Sequence, residues 1–430
     1  MDSHLESQNN YPSGMKIQLT FAVLFFMWGL LTVLNFVLLD QLAFLFKLSY
    51  SLSTLINLTF FSTYLIVSLK AGNLIKKIGY KWGIIVGWML ASAGCFVFFL
   101  SVNYHQYNIF LAALFLQAAG ITILQVGANL YVVLYGKPER AASRLNFVQA
   151  FNSLGTFLAP SLIFEVVWAF VNLPDESRAS LSKQAFLEIE APYVHFPYLF
   201  LGIMMVIFAI YLKFARIPHI SIEDKEPLNK MPFHPRRHVM HFPQLRLGAF
   251  AIFAYVGAEV ALNNYLVDFA PDNVKFYWGA AMVGRFIGAI LLTRINAGTA
   301  VGFCGFIASL LVLFSIMTSG MGMIPVWAIT AVGLFNSILF PSIFSLGIRG
   351  LGKFSLDGSA VLIMSIVGGA VIPFMVRNFS QMKDFPNELS HQLAFIIPVV
   401  CYAYIVLYGL KLSKFDIKDQ AVRNTSHLAT

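Results

Sequence analysis

Phe250–Val267 reads FAIFAYVGAEVALNNYLV, with one carboxylate, Glu259, set near the middle of an otherwise apolar stretch, Leu245 to Leu266. A bilayer-spanning helix needs about 20 mostly apolar residues, and this stretch supplies them. An ionised side chain at that depth costs roughly 2.5–3.5 kcal/mol on insertion scales. A chain keeps such a group where it faces a wet cavity or a partner. Glu259, with Asn263 one helical turn on and Asn264 beside it, is therefore the first functional candidate.

The whole chain shares this character. Of its 430 residues, 58% are hydrophobic and 11% are charged, whereas soluble domains carry about 25% charged residues. Such a composition cannot cover a water-facing surface, so the chain reads as an integral membrane protein with the lipid bilayer as its solvent. Cys95, Cys304 and Cys401 lie far apart in apolar runs and form no disulfide or metal framework. His234, His238 and His241 stand beside Arg236 and Arg237. They read as a basic segment near anionic lipid rather than a metal site. No metal and no cofactor is expected. The first apolar run, Ile17 to Leu39, has no A-x-A-like cleavage site after it and reads as a span.

Twelve spans are expected, at about 17–40, 51–71, 82–102, 107–135, 145–171, 194–215, 245–270, 277–294, 299–319, 322–348, 357–379 and 391–412. The fold class is thus an all-α integral membrane protein. Charge bias selects the orientation. With both termini in the cytoplasm, Lys47, Arg178, Lys183, Lys275, Arg377 and Lys383 face outward, and the rest of the 29 Lys and Arg lie toward the inner side. The net charge of +9 follows this topology and does not imply nucleic acid. The longest inner connection, in 216–244, separates six spans from six. The expected parts are a cytoplasmic tail over 1–16, one six-helix half over 17–215, the linker over 216–244, the second half over 245–412 and a tail over 413–430. Asn152-Ser-Leu-Gly155 to Pro160 resembles Ser365-Ile-Val-Gly368 to Pro373 half a chain later. Gly72 and Gly288 stand at a similar offset. This favours two parallel repeats, each containing inverted three-helix units.

Ala71-Gly-Asn-Leu-Ile-Lys-Lys-Ile-Gly-Tyr-Lys81 lies between the second and third spans and resembles the loop motif of the major facilitator superfamily. Gly72 suits close helix approach, Gly79 a tight turn, and Lys81 the inner surface. The motif lacks the acidic residue many members carry within Leu74–Lys77. A more specific match is Gly120-Ile-Thr-Ile-Leu-Gln-Val-Gly-Ala-Asn-Leu-Tyr131, continuing as Arg144-Leu-Asn-Phe-Val-Gln-Ala-Phe-Asn-Ser-Leu-Gly155. With Tyr255-Val-Gly-Ala-Glu-Val-Ala261, Gly284-Arg-Phe-Ile-Gly288 and Pro341-Ser-Ile-Phe-Ser-Leu-Gly347, it resembles the fucose–proton symporter family. Within that family it looks most like the glucose/galactose transporter branch. The resemblance runs from about Leu19 to Leu412. It implies the twelve-helix major facilitator fold, a sugar as substrate and a co-transported H+ or Na+.

Two departures from the family pattern stand out. Where members commonly have Asn-Asp in the first span, this chain has Asn35-Phe36, with Asp40 one turn on. The fourth-span Ala-Asn-Pro-Tyr is Ala-Asn-Leu-Tyr here. Leu130 restores a backbone donor and is expected to straighten that helix. Gln125 stands where the fucose permease has a coupling glutamate.

A sugar site needs amide donors and acceptors with aromatic faces. Gln125 and Asn129 share one face of the fourth span. Asn146, Gln149 and Asn152 follow at helical spacing in the fifth, and Glu259 and Asn263 in the seventh. Gln125, Asn129, Gln149 and Asn263 are the first substrate-binding candidates, with Asn35 and Asn336 behind them. Each also has a plainer reading, as interhelical hydrogen bonding. Trp28, Tyr64 and Tyr131 read first as packing. Trp168, Trp278 and Trp327 read as interfacial anchors. Glu259 is the favoured proton-coupling residue, with Asp40 as a substitute; the competing reading makes Glu259 a static partner of Arg285. Gly72, Gly79, Lys81, Arg144, Gly284, Arg285 and Gly288 are expected to be structural or gating.

The expected function is import of a hexose-like sugar of the glucose, galactose or fucose type. The mechanism is alternating access, with a proton co-transported, in a bacterial inner membrane. The chain is expected to be a monomer. Export or uptake of another polar metabolite, a sodium-coupled carrier and an uncoupled one stay open at this stage. A non-transporting sensor on the same fold is the distant rival. No nucleophile–base pair, metal cluster or phosphate loop suggests an enzyme.

Overall fold

The computed structural model describes residues 14–38, 50–104, 106–169, 191–218, 238–380 and 393–414, with single positions at 42, 46, 171, 185, 188, 189 and 220. Most of the expected tails, and most of the linker over 216–244, lie outside the described residues. The described elements are helices, as a bilayer demands of a chain that must satisfy its backbone polar groups internally.

Eleven described stretches are long and apolar enough to cross a membrane, against the twelve expected. The difference lies at Gly79. The second and third spans run as one helix, Tyr50–Asn103, of 54 residues. At 1.5 Å per residue it would be about 80 Å long, more than twice the hydrocarbon core. Gly79 interrupts it with φ 81° and ψ 164°, a region essentially closed to other residues. The chain doubles back there: Ile75 lies 2.6 Å from where a Cβ on Gly83 would stand. One long helix is therefore two spans, and the total is twelve.

The first span is Gly14–Val37. The fourth is Tyr107–Leu124, a π-helical turn Gln125–Asn129, then Leu130–Leu134. The expected straightening fails here. Leu130 does restore a donor, but its amide bonds the Gly127 carbonyl, three residues back. A wide turn persists there. The fifth span, Ala141–Trp168, contains Pro160, and the sixth is His195–Phe214. The seventh, Pro243–Phe269, and the eighth, Pro271–Leu291, each open on proline at the first turn, where no amide donor is missed. The ninth is Ala297–Met317.

The tenth span breaks between Ile324–Asn336 and Leu339–Ile348. Pro341 has no amide to give the Ser337 carbonyl one turn back. The eleventh changes geometry through a 3-10 turn: Ser355–Met364, Ser365–Val367, Gly368–Ser380, with Pro373 inside. The twelfth is Ile396–Leu410.

Packing repeats between the first six spans and the last six. The first span packs on the fifth as the seventh packs on the eleventh, and the third on the sixth as the ninth on the twelfth. The repeated sequence motif explains the first of these pairs. Gly155 lies against the Phe26 carbonyl and Gly368 against the Phe253 carbonyl, each too close for a side chain. Between the two sets, the fifth span meets the eighth and the second meets the eleventh. Around the outside, exposed Phe214, Phe303, Phe374 and Ile290 form the surface a bilayer covers.

The ends of the spans define two faces. Gly14 approaches Tyr135 at the end of the fourth span, and Ser413 lies beside Gly298 at the start of the ninth. Ser143, opening the fifth span, donates to the Ala289 carbonyl near the end of the eighth at 2.6 Å. We call the face holding Gly14 and Lys414 proximal and the other distal.

Candidate functional site

Pro341 frees the Ser337 carbonyl, and Arg285 takes it. The guanidinium Nε donates to that oxygen at 2.9 Å. The same side chain crosses to the first six spans, donating through one terminal nitrogen to the Gln149 carbonyl at 3.3 Å and to the Ser153 hydroxyl. Arg285 is buried, 7% exposed. Three acceptors from two other spans engage its Nε and one terminal nitrogen. Gly284 and Gly288 let the eighth span come this near the tenth. A side chain on Gly284 would strike Ser337 and the Leu334 carbonyl, and one on Gly288 would strike Ile338.

From Gln149 the polar chain continues into the fourth span. Gln149 Nε2 donates to Asn129 Oδ1 at 3.1 Å, and Gln125 Nε2 donates to the Tyr64 hydroxyl of the second span at 3.0 Å. The Asn129 amide nitrogen is buried and has no partner. An unfilled donor of this kind costs about 1–3 kcal/mol if it stays dry. The fourth, fifth and eighth spans thus bring Gln125, Asn129, Gln149 and Arg285 together, on the proximal side of the membrane's middle.

Glu259 stands half-buried on the seventh span, within electrostatic reach of Arg285. It accepts from the Tyr255 hydroxyl at 2.6 Å. No ion pair joins it to Arg285, unlike Lys76 and Asp357, which pair directly. Asn263 accepts from Trp278 Nε1 at 3.0 Å, so Trp278 holds a candidate amide. Asn336 lies fully buried between two tyrosines. It donates to the Tyr277 hydroxyl and accepts from the Tyr402 hydroxyl, both at 2.8 Å. That arrangement ties together the eighth, tenth and twelfth spans. The Asn35 side chain and all of Asp40 lie outside the described residues.

The next face of the seventh span borders a different space. A cleft of about 550 Å³ on the distal side is lined by Leu58 of the second span, by Val260, Asn264 and Asp268, and by Phe374 and Arg377 of the eleventh. One residue is about 100° of helix rotation, so Val260 and Asn264 line this cleft while Glu259 and Asn263, on the adjoining face, do not.

The proximal side is tied shut. Lys76 pairs with Asp357 at the start of the eleventh span. Ser359 donates to the Val126 carbonyl, within the π turn, at 2.8 Å. Asn146 reaches Ser342 at 3.4 Å, and Gly72 sits 3.1 Å from Ala360 by its would-be Cβ. Asp357 and Ser359 were not singled out from sequence. The loop carries no acid within Leu74–Lys77, and its Lys76 faces Asp357 of the eleventh span. Two other candidates cap helix ends. Lys81 donates to the Lys213 and Ala215 carbonyls, each at 2.8 Å, closing the sixth span. Arg144 donates to the carbonyls of Val132, Val133 and Lys137, closing the fourth.

The model of the Major Facilitator Superfamily matches residues 19–376. The "Glucose/galactose transporter" of Brucella abortus is 41% identical over 96% of this chain and 97% of its own length. The "L-fucose-proton symporter" of Escherichia coli is 30% identical over 90% of each chain. The crystal structure of a Major Facilitator Superfamily transporter, FucP, in the outward conformation superimposes with a TM-score of 0.76. It is 28% identical and covers 91% of this chain and 97% of that one.

Proposed function

The chain belongs to the major facilitator superfamily, and on that premise we propose that it carries a hexose-like sugar by alternating access, with a proton as the coupled ion. It is a membrane carrier and not an enzyme. The observation that carries the reading is the cluster of buried polar groups on neighbouring spans, Tyr64 with Gln125, Asn129 with Gln149, and Arg285 on the Gln149 carbonyl, with Glu259 within electrostatic reach of Arg285. It crosses between the two six-span sets inside an apolar body. Amides that donate and accept on one surface match the hydroxyls of a neutral sugar. The names of the Brucella and Escherichia relatives supply the substrate class and the proton.

In this reading Gln125, Asn129 and Gln149 bind the sugar, with Asn263 and Asn35 at the edge of the site. Asn336 holds the helices that frame it. Glu259 takes and releases the proton, because one of its oxygens has a hydrogen-bond donor and the other is free for exchange. The halves, 17–215 and 245–412, rock about this site. In this reading the carrier is in a state closed on its proximal face. The positive-charge bias supports a proximal face, where the first span begins and the twelfth ends, turned to the cytoplasm of a bacterium whose inner membrane holds the protein. The working unit is the monomer, since the polar cluster lies within one chain.

Uptake by purified protein in liposomes tests this. Radiolabelled glucose or galactose should accumulate under an inward proton gradient, and a protonophore should abolish accumulation. Accumulation that depends instead on sodium would replace the proton with that cation. No uptake or exchange of any neutral hexose would overturn the substrate assignment.

A further inference from the structure

The first and sixth spans part toward the proximal face. The sixth leans on the third, where Trp88 meets Phe208 edge-on at 5.7 Å and Ser92 donates to the Gly202 carbonyl at 2.8 Å. Its other side, toward the first span, leaves a groove of about 520 Å³. Leu19 and Val23, one turn apart on the first span, face Phe208 across it. Leu19 is 48% and Val23 47% exposed, so the walls are apolar and open sideways to the bilayer. At the floor the Thr20 and Tyr211 hydroxyls meet at 3.2 Å and bridge the two helices. At the proximal mouth stand Lys16 and Arg216. Both are exposed, and neither has an ion-pair partner among the described residues.

We propose that this groove is a binding site for an anionic phospholipid, its phosphate held between Lys16 and Arg216 and an acyl chain lying along Leu19, Val23 and Phe208. Each part of the groove matches one part of such a lipid. Two cations at headgroup depth attract a phosphodiester, and the guanidinium can hold it through two parallel hydrogen bonds. A zwitterionic lipid would bring its own cation against the same two charges. A water-soluble anion would leave the apolar walls unfilled. The Thr20 and Tyr211 hydroxyls lie just below the cations, where glycerol ester carbonyls would sit. The site lies apart from the sugar path and does not depend on the sugar assignment.

The test uses the full chain, purified and delipidated in detergent. Phosphatidylglycerol or phosphatidylcholine is added at equal concentration, with native mass spectrometry and thermal unfolding as readouts. Phosphatidylglycerol should bind and raise the unfolding temperature more than phosphatidylcholine. The Lys16→Ala/Arg216→Ala variant should bind phosphatidylglycerol roughly tenfold more weakly and keep its phosphatidylcholine response. Lys411→Ala/Lys414→Ala, the same charge change elsewhere on that face, should behave like the parent. If the alanine pair does not fold, Lys16→Gln/Arg216→Gln replaces it. Equal responses to the two lipids would overturn the proposal. So would a phosphatidylglycerol preference that survives loss of both cations, or the same stabilisation from inorganic phosphate alone.

Discussion

Glu259 holds one hydrogen bond, from Tyr255, and that single contact sets its prediction. Glu259→Gln keeps the acceptor and the shape but cannot exchange a proton. Gradient-driven accumulation should disappear, while counterflow exchange of sugar continues. Loss of both activities would mark Glu259 as a binding or structural residue. The amides call for a different test, because hydrogen bonds that hold helices and hydrogen bonds that hold sugar look alike in a closed network. Gln149→Ala leaves Asn129 unpaired on both its polar atoms, so it should cost about 1–3 kcal/mol of stability. It should also weaken hexose binding in calorimetry at least tenfold. An unchanged Kd in the folded variant would make the pair purely structural. Arg285→Lys keeps the charge but loses the planar fork that serves Ser337, Gln149 and Ser153. It should lower the unfolding temperature and abolish transport together.

At the scale of elements, the breaks in the helices carry the function more than the helices do. Gly79 turns one 54-residue helix into two spans. Gly79→Ala forces a side chain into a backbone region that costs about 1–3 kcal/mol. A drop in thermal stability of that order is expected, with no change in sugar affinity in the protein that folds. The π turn over Gln125–Asn129 and the break before Leu339 supply the carbonyls of Val126 and Ser337 to partners on other spans. The Gly79 turn was legible in the loop motif, and Pro341 was in view as part of another. The π turn was not legible. Leu130 argued for a straight helix, and only the packing of the eleventh span, with Ser359 on the Val126 carbonyl, accompanies the wider turn.

For the molecule as a whole, the question is what holds the proximal side shut. Lys76 and Asp357, 281 residues apart in sequence, join the second-to-third connection to the eleventh span. Their side chains are 38% and 29% exposed, so solvent screens the pair and its worth is below about 1 kcal/mol. That is still enough to move a balanced two-state equilibrium severalfold. Asp357→Asn should therefore shift the carrier toward the proximally open state, read as longer spin-label distances between Lys137 and Lys411 positions. The double exchange Lys76→Asp/Asp357→Lys should return the distances toward the parent. An unchanged distribution in Asp357→Asn would remove the pair from the gate.

The sequence by itself determined the number of spans, the class of membrane protein and the polar residues worth examining. Bilayer thickness and the cost of burying a polar group act on each stretch locally, so Glu259, Gln149 and Arg285 stood out wherever they fell. The tertiary structure decided how those residues are used. Arg285 serves a carbonyl that Pro341 leaves open, Asn336 is held between Tyr277 and Tyr402, and Lys76 of the loop pairs with Asp357 of the eleventh span. Such pairings depend on which helices lie side by side. Close glycine contacts such as Gly155 on Phe26 and Gly284 on Ser337 fix that adjacency, and they join residues that local sequence cannot connect.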